Sequence, residues 1–74
     1  MSHKMIDFEK TAILLESKFR ENGMTNSAVS EEFGVSVSTV SYWLNGKKLP
    51  SLNHLVAIAG VLGCSISDLI ATKD

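Results

Sequence analysis

TNSAVSEEFGVSVSTVSYWLNG, residues Thr25 to Gly46, carries two short helical patterns separated by one glycine, and Lys47 and Lys48 follow directly. Thr25 can cap a helix running to Phe33, and Gly34 can take the left-handed conformation that ends it. Ser36 can then cap a second helix that stops at Gly46. Val29, Phe33, Val35, Val40 and Trp43 are spaced so that the two helices pack across the turn, leaving Ser38, Ser41, Tyr42 and Asn45 outward.

That layout is a helix-turn-helix, whose second helix can lie in a DNA major groove. The same grammar extends along the rest of the chain. Thr25, Ser36, Ser51 and Ser65 each precede an apolar residue four positions on (Val29, Val40, Leu55, Leu69), and Met24, Val35, Pro50 and Cys64 stand where a staple is expected. Ser65 with Asp68 makes a capping-box pattern. Gly23, Gly34, Gly46 and Gly63 fall at the matching stops. Together these signals predict five helices.

The first, about Phe8 to Asn22, places Phe8, Ala12, Leu15 and Phe19 on one stripe at helical spacing. The fourth, about Leu52 to Leu62, is apolar around most of its circumference and is expected to be largely buried. Gly60 inside it suits either a close helix approach or a merely tolerated glycine, at a cost of about 1 kcal/mol against alanine. The last is expected over about Ile66 to Thr72. No strand-like alternation or repeat is visible. The predicted architecture is all-α: a compact five-helix domain over residues 7–72, with a flexible N-terminal segment at 1–6 and a C-terminal end at 73–74.

The 74 residues make one domain with a limited core, and a stability margin on the order of 5 kcal/mol or less is expected. The single cysteine, Cys64, excludes an internal disulfide and reads as a small buried residue. His3 and His54 are far apart in sequence, so neither a metal site nor a cofactor is expected. No nucleophile and base stand near one another, which argues against an enzyme. Without an apolar run near 20 residues or a secretory signal, the expected location is cytoplasmic, with no membrane partner. Net charge is −1, poor for a nucleic-acid binder, but its distribution is uneven. Between Phe33 and Ser67 there is no Asp or Glu, and Lys47 and Lys48 are the only charges.

In the Gly23-Met24-Thr25 entry, the Gly34-Val35-Ser36 turn, Val40 and Trp43, the segment Asn45 to Pro50, and the Leu62 to Leu69 ending, the chain resembles the lambda-repressor-like (Cro/CI, XRE-type) DNA-binding family. The resemblance covers about Leu15 to Ile70. It implies a third helix in the major groove and a two-fold dimer on a pseudo-palindromic operator. Two positions depart from the family. Where many members pair an arginine late in the first helix with a glutamate before Asn-Gly, this chain has Phe19 and Leu44, an apolar replacement of the kind that is often neutral or stabilising. Ser30 stands where alanine is favoured, and its hydroxyl can bond back within the helix.

Carried over by position, the resemblance implies phosphate contacts from Asn26, Ser27, Asn45, Lys47 and Lys48, and base contacts from Val37, Ser38, Ser41 and Tyr42. Asn26 and Ser27 open a helix N-terminus, which suits an anion. The two lysines also fit an ordinary solvated loop, and Asn45 fits a plain helix end. None of the base-reading candidates makes a bidentate Arg–guanine or Gln–adenine pair, so modest discrimination per subunit is expected. Trp43 is expected in the core rather than as a stacking platform. Residues 1–5 read as a frayed end rather than a DNA-wrapping arm. A weak dimer contact is expected from Ile66, Leu69 and Ile70.

These features favour a small transcriptional regulator, a repressor or Cro-type switch protein of a phage or mobile element, acting on double-stranded DNA without a small-molecule ligand. The chain spends its whole length on the DNA-binding fold, as an isolated regulator or as the N-terminal part of a longer repressor. The competing readings are a DNA-binding antitoxin and a helix-turn-helix used only for protein contacts.

Overall fold

A computed structural model describes residues 3–74. In chain order they form strand β1 (Met5–Ile6), helices α1 (Phe8–Glu21), α2 (Asn26–Phe33), α3 (Val37–Leu44) and α4 (Leu52–Leu62), a 3-10 turn at Ile66–Asp68, and strand β2 (Thr72–Lys73). Side chains cap all four helices. Thr25, Ser36 and Ser51 accept from the backbone N–H groups of Ala28, Thr39 and His54. Asp7, a cap the hydroxyl pattern did not contain, accepts from Lys10. Gly34 ends α2 at φ 65°, so the chain reverses into α3 without a side chain strained in the left-handed region.

α2 and α3 make the most extensive helix pairing, and α1 crosses α3 beneath it. Leu15, Phe19, Val29, Val40, Trp43, Leu55, Ile58 and Leu69 form one cluster in which most members are fully buried. Phe19 lies inside it with its ring 6.2 Å from that of Phe33, and Leu44 packs against its edge. The two positions where the family often holds an ion pair are thus joined to one apolar core. Trp43 is buried as expected, 5.4 Å from the His54 ring.

Among the described residues there are four α-helices, not five. Over Ile66–Asp68 there is a single 3-10 turn, closed by Asp68 accepting from the Ser65 backbone N–H at 3.1 Å and its hydroxyl at 3.0 Å. Leu69 then drops fully into the core. Past it, the backbone groups a helix would use internally are taken by α1. Thr11, itself fully buried, accepts from the Ala71 N–H at 3.0 Å and donates to the Ala71 carbonyl at 3.3 Å, and the Asp7 N–H reaches the same carbonyl at 2.9 Å. Strand β2 continues antiparallel to β1, with Met5 opposite Lys73 and Ile6 opposite Thr72. Met5 and Ile6, from the segment expected to be flexible, and Lys73, from the expected C-terminal end, therefore lie in this ladder. Met1 and Ser2 lie outside the described residues.

Other expectations also change. Phe8 is 43% exposed and stands outside the core cluster. α4 buries only the stripe of Leu55, Ile58 and Ala59, and leaves Leu52 and Val56 largely exposed, since none of the described elements covers its far side. Gly60 faces open space, so it is tolerated rather than required for a close approach. The Ser30 hydroxyl does not bond back within its helix. It donates forward across the turn to the Val35 carbonyl.

Candidate nucleic-acid interface

The face of α3 follows from its period. Val37, Ser38, Ser41 and Tyr42 recur on one side of the helix and all are exposed, while Val40 and Trp43 on the other side are buried. The Ser36 hydroxyl accepts from the Thr39 N–H and also pairs with the Thr39 hydroxyl at 3.0 Å. This fixes the first turn, so the outward side chains project from a rigid element. The face offers apolar methyls, two hydroxyls and a phenol, and carries no charge.

Positive charge is supplied by the loop that follows. The backbone N–H groups of Lys47 and Lys48 both donate to the Tyr42 carbonyl, and the Lys48 ammonium lies 5.6 Å from the Tyr42 ring centroid. A cation over an aromatic face is attracted by the ring quadrupole. Tyr42 and Lys48, assigned by position to a base and a phosphate, are thus joined into one unit. Asn45 uses its side-chain oxygen to accept from the Lys47 N–H at 3.1 Å, which makes it first a loop-closing residue. Gly46, at φ 79°, lets this loop lie on the start of α1, where an added Cβ would come within 3.3 Å of the Phe8 carbonyl.

The second group stands at the start of α2. Ser27 is exposed and Asn26 is half-buried. Asn26 is not alone. The Arg20 guanidinium donates through Nη2 to Asn26 Oδ1 and through Nη1 to the Met24 carbonyl, both at 2.7 Å, with Glu16 at 3.7 Å from Nη2. Arg20 was not among the candidate residues. The available signal was its place beside Phe19, which holds the position where the family often has arginine.

The dimer candidates separate. Leu69 is fully buried inside its own chain, so its side chain is not available to a second copy. Ile66 and Ile70 are half-buried and pack against the same core. Among the described residues, no group of three or more His, Cys, Asp or Glu is placed to hold a metal ion, and no helix is long and apolar enough to cross a membrane.

A family model described as helix-turn-helix matches residues 15–69. Comparison with curated proteins returns no match. Among solved structures, a transcriptional regulator from Listeria innocua is similar at TM-score 0.77 and 27% identity over 89% of this chain and 59% of that one. The CoII form of HppE in complex with substrate is similar at 0.74 and 34% identity over 85% of this chain. The restriction-modification controller protein C.AhdI from Aeromonas hydrophila is similar in fold at 0.76 and 21% identity, over 85% of this chain and 96% of that one. The chain spans only 35% of HppE, so its fold there is one part of a longer protein.

Proposed function

Since the chain belongs to the lambda-repressor-like helix-turn-helix family, we propose that it is a DNA-binding transcriptional regulator that inserts α3 into the major groove of a duplex operator. On this reading it binds rather than catalyses, and acts in the cytoplasm as a repressor or Cro-type switch. The observation that carries the proposal is the pairing of an uncharged, outward α3 face with the exposed Lys47 and Lys48, in a stretch without Asp or Glu from Gly34 to Ser67. Lys47 and Lys48 contribute phosphate attraction. Val37, Ser38, Ser41 and Tyr42 read base edges, the first against thymine methyls and the hydroxyls as donors or acceptors.

Two subunits on a pseudo-palindrome would supply the discrimination that one such face lacks. Leu69 does not contribute to that contact, which leaves the half-exposed parts of Ile66 and Ile70.

Selection of bound sequences from a random duplex pool tests the reading. A recovered pseudo-palindrome with half-sites near one helical turn apart supports it. A pool with no enrichment, from protein that also fails to bind nonspecific duplex at low salt, overturns it. Lys47→Ala and Lys48→Ala should each reduce the log–log salt slope by about 0.9. Sedimentation giving a strict monomer, free and on an operator fragment, would remove the two-fold part alone.

A further inference from the structure

We propose that Arg20 is a positioning residue for DNA binding, fixing the Asn26 amide so that its NH2 group is presented to a phosphate; this rests on the DNA-binding reading. A guanidinium is donor-only, so the Asn26 atom 2.7 Å from Arg20 Nη2 must be the carbonyl oxygen. That removes the ambiguity between the two ends of an amide. The opposite end, Nδ2, is then held away from Arg20, and among the described residues it donates to no protein acceptor. What remains of Asn26 is a pair of N–H donors at the start of an eight-residue helix, matched to an acceptor-only phosphate oxygen.

The second prong sets the position of the helix. Nη1 donates to the Met24 carbonyl at 2.7 Å, which pins the residue before the Thr25 cap. The planar fork therefore spans the turn from α1 to α2 and ties the entry and the amide to one rigid group. A lysine there keeps the charge, but its single nitrogen cannot reproduce both prongs with the same geometry.

The test compares binding to a nonspecific duplex over a range of salt for the full chain, Arg20→Lys, Arg20→Ala, Asn26→Ala and the double variant Arg20→Lys/Asn26→Ala. Thermal melting of each serves as the fold control. Positioning predicts that Arg20→Lys weakens binding about as much as Asn26→Ala, roughly tenfold for a lost hydrogen bond to a charged group. It also predicts an unchanged salt slope for Arg20→Lys and no further loss in the double variant. If Arg20→Lys binds like the parent while Arg20→Ala lowers the slope by about one contact, Arg20 is a direct phosphate ligand and the positioning role is overturned. Additive losses in the double variant overturn it as well. Asn26→Asp gives a readout independent of folding defects. A carboxylate strengthens the Arg20 pair and favours the helix N-terminus, so the melting temperature should rise while DNA binding falls. A parent protein that shows no salt-dependent binding to duplex would instead overturn the DNA-binding reading itself.

Discussion

The helix-turn-helix half and the junction of the chain ends are held by different forces. From Thr25 to Pro50, each element begins at its own hydroxyl cap and packs a stripe of apolar side chains, so local rules and burial agree. At the junction, two short strands and a 3-10 turn meet the start of α1 through Thr11, Asp7 and the backbone of Ala71. The starts and turns of the first region are set by contacts a few residues apart, and its apolar stripes then join the core that α1 and α4 share. The second depends on a hydroxyl that reaches 60 residues along the chain. The contrast shows how a small domain can place its interface on the part whose helix starts are set locally and close its ends with polar bonds.

Substitutions can break this contrast or sharpen it. Phe19→Ala empties the centre of the core shared by both regions and should cost about 3 to 5 kcal/mol, comparable to the whole stability margin. Chemical denaturation would show it, and a loss below about 1 kcal/mol would mean that the two regions do not share one core. Gly46→Ala joins a left-handed φ to a tight approach of the new Cβ to the Phe8 carbonyl, and should cost roughly 2 kcal/mol. Because Gly46 lies in the lysine loop, the variant should also weaken duplex binding. Normal affinity in a destabilised variant would separate the loop from the interface.

Thr11→Val keeps the shape but removes the hydroxyl that both donates to and accepts from Ala71, at roughly 1 to 3 kcal/mol. Hydrogen exchange should quicken at Ala71 and along β2 while α2 and α3 remain protected. Uniform loosening would mean that the junction is not a separate unit.

The smallest effect concerns Asp68. The hydrogen bond from the Ser65 backbone N–H, then that from the Ser65 hydroxyl, hold its carboxyl below the ordinary value of 3.8. A group depressed on folding adds stability above its unfolded value and loses it as pH falls through the folded one. Asp68→Asn should therefore be slightly less stable than the parent at neutral pH. The two should converge in acid below the ordinary value, as parallel melts at several pH values would show.

Most of the helix-turn-helix was legible because its signals are local. Thr25, Ser36 and Ser51 cap helices as their spacing predicts, Trp43 is buried, and Val37, Ser38, Ser41 and Tyr42 share an exposed face. The arginine fork was not legible, since it joins Arg20 to Asn26 through a turn whose geometry periodicity does not describe. The C-terminal helix failed for the same kind of reason. Ser65 and Asp68 signal a helix start, and the start is present, but no local pattern announces that Thr11 will take the Ala71 backbone.

The residue order by itself determined where four helices start and stop, which residues of α3 face outward, and where acidic charge is absent. These depend on capping bonds three residues apart, on a period of 3.6, and on composition. Only the tertiary structure decided that the chain ends pair as strands, that Leu69 is enclosed rather than offered to a partner, and that Arg20 holds the Asn26 amide. Each of those outcomes is set by which distant group reaches an unsatisfied donor, acceptor or apolar surface first, and sequence spacing does not carry that information.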